Sequence, residues 1–170
     1  MAGFTVAFTR RKKFSIIGFL IQLVEALNIL ITKHKFEWVP FYHVMIRDDK
    51  TRIWYNADFP SVHTMSDVEF IYVYNAIEMK KFRYVVPPEA LSWLRSQIGS
   101  HYSIGGIVAI YFKLIKSWMN RDYRKYVSGD RTFICTEYVL KFMDKCGFDV
   151  DRAELEVTTV YESFLTIKEL

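Results

Sequence analysis

The stretch Arg131-Thr-Phe-Ile-Cys135-Thr-Glu-Tyr-Val-Leu-Lys-Phe-Met143 carries a short apolar run into an amphipathic helix. Apolar residues recur at Cys135, Val139, Phe142, Met143 and Cys146, one face of a 3.6-residue period, and Gly147 follows as a stop. Cys135 therefore stands in the first helical turn. There the backbone N–H groups lack intrahelical acceptors and the positive end of the helix dipole favours a thiolate. A thiol so placed is a candidate nucleophile, whereas most free cysteines simply fill a core.

Upstream, the apolar run Phe41-Tyr-His-Val-Met-Ile46 contains His43. The polar segment Arg47-Asp-Asp-Lys-Thr-Arg52 follows, and Ile53-Trp-Tyr-Asn-Ala57 returns to apolar and aromatic residues. This pattern predicts a β-hairpin with its turn centred on Asp49 and Lys50. Symmetric closure there sets Arg47 opposite Arg52 and His43 opposite Asn56. Strand alternation sorts Val44, Ile46, Ile53 and Tyr55 to a core face. His43, Met45, Trp54 and Asn56 share the other, which is expected to turn toward the Cys135 helix. Opposed residues have Cβ atoms about 4.5–5.5 Å apart, close enough for the Asn56 oxygen to accept from an imidazole N–H. Nucleophile, base and a group that fixes the base's tautomer together make the Cys–His–Asn logic of thiol hydrolases. One β-bulge would bring Asp58 in instead of Asn56, and His63 is a further rival for the third position.

The order of these elements resembles the circularly permuted papain-like hydrolases. These are permuted relatives of the NlpC-type cell-wall amidases, and lecithin–retinol acyltransferase-like proteins belong with them. Tyr42-His43-Val44-Met45-Ile46 is similar to the family's Ser-His-Val-Gly-Ile strand, and Trp54-Tyr55-Asn56-Ala57 to its Val-Ile-Glu-Ala strand. Gly99-Ser100-His101-Tyr102-Ser103 resembles a Gly-x-x-Tyr-Asp motif that opens a helix. Ile134-Cys135-Thr136-Glu137-Tyr138-Val139 resembles Tyr-Cys-Ser-Glu-Leu-Val at the nucleophile. The tail Val157-Thr-Thr-Val-Tyr-Glu-Ser-Phe-Leu165 is similar to a Thr-Pro-x-x-Leu ending, with Thr159 in place of proline. Asn56 stands where the family carries an acidic residue, and Tyr42 and Met45 replace small ones.

The resemblance implies a cysteine amidase or peptidase-like thiol hydrolase, acting through a thioester with no cofactor and no metal. His43 would take the thiol proton of Cys135 and Asn56 would hold the ring. The Cys135 backbone N–H would face the oxyanion, with Tyr102 and Thr136 as further oxyanion or substrate-binding groups. Its substrates would be amide-bearing, peptidoglycan peptides or isopeptide-linked proteins, with lipid esters and thioesters also in the family's range. Two readings compete. One is a catalytically silent binding or structural protein on the same scaffold. The other is a lipid-directed thiol acyltransferase or esterase, with Arg10–Lys13 and the first helix lying on a membrane surface. The family's distribution points to a bacterial or phage origin.

Length and composition fit one domain over residues 1–170. Hydrophobic residues make up 51% of the chain, which excludes a disordered one, and no Pro/Gly/Ser linker or repeat divides it. The reading is α+β: an antiparallel sheet with packed helices. Strands are expected at Thr5–Thr9, Val68–Tyr74 and Lys81–Val86, with helices at Phe14–Ile31, Pro87–Ile98 and Ile104–Met119. Gln22, Glu25 and Asn28 interrupt the Phe14–Ile31 run as one polar stripe, so it reads as a helix packed on the domain rather than a membrane span. No cleavage site follows it, and the two cysteines, on one helix, cannot pair; both points favour the cytoplasm. The net charge of +4 is spread too evenly for a nucleic-acid groove, and no Cys/His cluster has zinc-ligand spacing. No Walker loop, dinucleotide fingerprint or Gly-x-Ser-x-Gly elbow occurs. Oligomeric state leaves no mark in the sequence.

Overall fold

Alternation of aromatic or β-branched residues with small ones makes Phe4–Arg11 a strand, β1, that buries Phe4, Val6 and Phe8 on one face. It lies inside a sheet whose other strands are β2 (His43–Asp48), β3 (Ile53–Asp58), β4 (Ser61–Ser66), β5 (Tyr74–Phe82), β6 (His101–Tyr102) and β7 (Thr132–Phe133). The computed structural model describes residues 3–103, 105, 132–150 and 159–170. Within these the strand order is β5-β1-β2-β3-β4-β6-β7. Every neighbouring pair is antiparallel except β6 and β7. The fold class is therefore α+β, as expected. Apart from residue 105, the helix expected over 104–119 lies outside the described residues.

The β2–β3 register departs from symmetric closure. Ile46 pairs with Tyr55, Arg47 with Trp54 and Asp48 with Ile53. Arg47 does not face Arg52, nor does His43 stand opposite Asn56. The reason is a four-residue turn held by Asp48. Its carboxylate accepts from the Lys50 N–H at 2.9 Å and the Thr51 hydroxyl at 2.8 Å. Its carbonyl accepts from the N–H of Arg52, which sits in the left-handed region at φ 59. The two arginines then converge on Asp67, at 2.7 Å and 3.0 Å, instead of opposing each other. An offset of two residues leaves the face of every side chain unchanged.

A second departure follows β4. Where strands were expected at Val68–Tyr74 and Lys81–Val86, the chain forms a helix, α2 (Asp67–Val73), and then β5, which ends at Phe82. A capping box starts α2: the Ser66 hydroxyl accepts from the Glu69 N–H, and the Glu69 carboxylate accepts from the Ser66 N–H. Phe70 of this helix stacks on Trp54, ring centroids 3.9 Å apart, and closes a small core with Ala7, Met45 and Tyr74 on one face of the sheet.

The larger core lies on the other face. There Phe4, Val6, Phe8, Val44, Ile46 and Tyr55 meet helices α3 (Pro88–Ser96), α4 (Cys135–Lys145) and α5 (Val160–Glu169). The N-cap of α4 is Ile134, which offers no side-chain acceptor. A missing cap costs about 1 kcal/mol. Tyr138, Val139, Leu140, Phe142 and Met143 are wholly buried along α4, at about 1.5–3 kcal/mol each, and burial wins. Packing thus holds an uncapped helix start in place.

Helix α1 (Ile16–Lys33) begins at Ser15, whose hydroxyl accepts from the Gly18 N–H, and ends at His34 in the left-handed region. Its polar stripe faces inward. Gln22 donates to the Val39 carbonyl at 2.9 Å, Asn28 contacts Glu162 at 3.4 Å, and Glu25 accepts from the Tyr161 N–H at 3.1 Å. Gly18 lies under the Tyr42 ring, where a Cβ would be 2.3 Å from Cζ. Among the described residues, no helix is long and apolar enough to cross a membrane.

Burial, and to a lesser degree the Glu162 charge, push the Glu25 carboxyl up to about 7 against its hydrogen bonds. Its other oxygen has no hydrogen-bond partner. For an acid raised in the folded state, the native protein holds more protons than the unfolded chain between about pH 4.3 and 7. Stability should therefore fall across that window, by up to roughly 4 kcal/mol, and level off above it. Thermal unfolding from pH 4.5 to 8 measures this. The slope should be missing from Glu25→Gln, and an unchanged slope there would assign the loss to another group.

Candidate active site

His43 opens β2, opposite Thr9 of β1 and beyond the last rung between β2 and β3, which joins Ile46 to Tyr55. The two strands are not laddered at the level of the imidazole. At this open end the sulfur of Cys135, the first residue of α4, comes near enough to act on the titration of the ring. The His43–Asn56 face carries the smaller core, not the body of α4, which packs on the opposite face. The expectation that this face turns toward the Cys135 helix is corrected accordingly. Only the N-terminus of α4 reaches it, because the sheet is open there.

Asn56 is fully buried, and its hydrogen bonds settle the tautomer of His43. Its Nδ2 donates to the Tyr74 hydroxyl and to His63 Nε2, each at 3.2 Å. His63 Nδ1 donates to the Ser61 carbonyl at 2.9 Å, so His63 Nε2 carries a lone pair. Asn56 Oδ1 is left facing His43 Nε2 at 2.6 Å. Flipping the carboxamide would forfeit these bonds at about 1 kcal/mol each and leave buried polar atoms unmatched at about 1–3 kcal/mol each. His43 Nε2 therefore carries a proton, and Nδ1 is the ring atom left to take one up.

The chain of contacts runs on. The Tyr74 hydroxyl donates to Asp58 at 2.6 Å, and Asp58 is ion-paired with Arg11. Tyr74 also stacks on the imidazole, ring centroids 5.6 Å apart. Burial works against a charged His43, but the neighbouring Cys135 sulfur, the Asp58 charge and Asn56 outweigh it and push the imidazole up to about 9. Burial likewise pushes Asp58 up, yet the imidazolium, the Tyr74 hydroxyl and Arg11 hold the carboxyl below its usual range. Burial and the Asp58 charge raise Tyr74, which keeps its proton and its donor role.

Tyr102 pairs in β6 with Phe133 of β7, two residues before Cys135, which brings the phenol near the sulfur. Burial, with the nearby sulfur and Asp58, raises this phenol well above its ordinary value, so it too is a donor. Thr136 is buried in the first turn of α4 beside the thiol. Cys146, at the far end of that helix, is buried apart, and burial with the Glu89 charge pushes it up to about 12.

Of the residues expected from sequence, Cys135, His43, Asn56 and Tyr102 come together. Asn56 does so obliquely rather than as a cross-strand partner. Both rivals for the third position lie behind it: His63 touches Asn56, and Asp58 stands beyond Tyr74. Tyr74 and Arg11 were not foreseen. Tyr74 is one aromatic among many, and only the β1–β5 register, which pairs it with Arg11, sets it against Asp58. Among the described residues no group of three or more His, Cys, Asp or Glu side chains is disposed to hold a metal ion. Comparison with protein-family models, curated proteins and solved structures gave no match.

Because the sulfur is the strongest influence holding the proton on His43, the imidazole should titrate near 9 by NMR, and Cys135→Ala should move its midpoint down. A group raised in the folded state adds stability below its unfolded value near 6.5 and loses it as pH rises through the folded one. Wild type should therefore lose stability between about pH 6.5 and 9, and Cys135→Ala should lose less. A wild-type midpoint near 6.5, unmoved by the substitution, would show that thiol and imidazole do not interact.

Proposed function

We propose that this chain is a cofactor-independent cysteine hydrolase of amide bonds, in a peptidoglycan peptide or an isopeptide, built on a circularly permuted papain-like fold. The observation that carries the reading is the buried chain in which one imidazole joins Cys135 to Asn56, with the tautomer set by hydrogen bonding. The order of parts also supports it: strand, helix, strand with His43, strand with Asn56, and later a helix opening on Cys135.

His43 Nδ1 takes the thiol proton, and the sulfur attacks the carbonyl carbon. The oxyanion so formed is met by the Cys135 backbone N–H, at a helix start without a side-chain cap, and by the Tyr102 hydroxyl. The tetrahedral intermediate collapses as His43 returns its proton to the departing nitrogen, leaving a thioester and a free amine. Water then gives a proton to His43 and its oxygen adds to the thioester carbonyl. Collapse releases the carboxylic acid and restores the thiol. An amine is a poor leaving group unless protonated, and the proton that His43 has taken from the thiol is available to it. This favours an amide over an ester, which can leave without that proton.

A thiolate-trapping probe followed by a panel of peptidoglycan fragments, isopeptide-linked proteins and acyl esters tests the proposal. Cys135→Ser should remain folded and lose labelling and turnover. His43→Ala should slow turnover roughly 10²–10⁴-fold, and Asn56→Ala by less, since it orients the base without joining in bond making. The probe should leave Cys146 unmodified. Absence of labelling and turnover on every substrate, with wild type indistinguishable from Cys135→Ser, would leave the silent scaffold.

A further inference from the structure

We propose that the outward face of α1, together with the basic segment before it, docks this protein on an anionic lipid surface. The helix is amphipathic in the inverted sense. Among its described side chains, over residues 16–30, the exposed ones are Ile16, Ile17, Phe19, Leu20, Leu23, Leu27 and Leu30, all apolar, while Gln22, Glu25 and Asn28 are buried. A helix facing water on that side would carry its polar residues there. The apolar surface continues past both ends of the helix into Phe14, which is 80% exposed, Phe36 at 61% and Trp38 at 43%. The Phe19 ring lies 6.3 Å from Phe14 and 6.0 Å from Trp38, so these residues form one surface. Monomeric proteins rarely leave a contiguous apolar patch of this kind in water.

Charge selects the occupant. Arg10, Lys12 and Lys13 are exposed just before the helix and Lys35 just after it. Between residues 10 and 38 the acidic residues are Glu25, which is buried, and Glu37. Cations at both ends of an apolar helix, with Trp and Phe at its rim, match a headgroup layer in which acyl chains take the apolar face and anionic headgroups take the cations. No described helix is long and apolar enough to cross a bilayer, and the inward face of α1 is committed to hydrogen bonds with the domain. The helix therefore lies in the plane of the interface. On the inward side of the helix Gly18 packs under the ring of Tyr42, the residue before His43. Docking needs no turnover, so it stands or falls independently of the hydrolase reading.

Flotation of the full chain with vesicles of phosphatidylcholine alone, or of phosphatidylcholine and phosphatidylglycerol, tests this. Wild type should float with the mixed vesicles and remain below with the neutral ones. Leu20→Glu with Leu27→Glu lies on the exposed face and should fold, as checked by circular dichroism, yet stay below with both. Arg10→Gln, Lys12→Gln and Lys13→Gln together should weaken binding to the mixed vesicles by roughly a hundredfold, at about 1 kcal/mol per charge. Mixed vesicles should also shift Trp38 emission of wild type to shorter wavelength, a readout that needs no apolar-face variant; the shift should be missing from Trp38→Phe. Failure of wild type to float, equal flotation on neutral vesicles, or flotation unchanged by the leucine substitutions would each overturn the proposal. Concentration-dependent self-association without flotation, abolished by the same leucine substitutions, would assign the face to a second copy of the chain.

Discussion

The turn held by Asp48 governs how the rest of this structure can be arranged. Its carboxylate and carbonyl close a four-residue loop rather than a two-residue one. The β2–β3 ladder then stops at Ile46 and Tyr55, leaving His43 at an unladdered end. The open end admits Cys135. The face assignment survives because the offset is even, so His43 and Asn56 still lie on one side of the sheet.

The electrostatics of the site then follow from what surrounds a buried imidazole. Burial alone would strip His43 of its proton, and three separate influences oppose it: the sulfur, Asp58 and the Asn56 oxygen. Asp58 acts without touching the ring. Asn56 and Tyr74 stand between them, and Arg11 balances the carboxylate on its far side. A neutral carboxamide in direct contact orients the ring, while the carboxylate supplies charge from one shell further out. A buried ion is tolerated when paired and hydrogen-bonded, and each charge in this cluster has both.

Helix α1 shows packing overriding the usual sense of an amphipathic helix. Each polar residue of its stripe has a partner on the domain: a backbone carbonyl for Gln22, a helix N-terminus for Glu25, and a capping carboxylate for Asn28. Hydrogen-bonded polar side chains hold the helix down at Gln22, Glu25 and Asn28, with Ala26 and Ile29 filling between them. The long aliphatic residues remain outside. Such an attachment specifies one orientation, because rotating the helix would strand three buried polar groups.

Local pattern made much of this legible. The 3.6-residue period placed Cys135 at a helix start, alternation put His43 and Asn56 on one strand face, and Gly147 marked a helix end. These depend on residues near one another in the chain, where spacing and backbone geometry are directly coupled. The capping box Ser66–Glu69 was equally local, but the β-branched and aromatic residues after it also suit a strand, and the aromatic stack on Trp54 decides for the helix. What the chain alone did not disclose was long-range. The β1–β5 register brought Tyr74 and Arg11 to Asp58, and the partners on α5 turned the polar stripe of α1 inward, whereas the Asp48 turn that set the hairpin register is a local exception. Periodicity reports which residues share a face, whereas which face is buried depends on what the rest of the fold places against it.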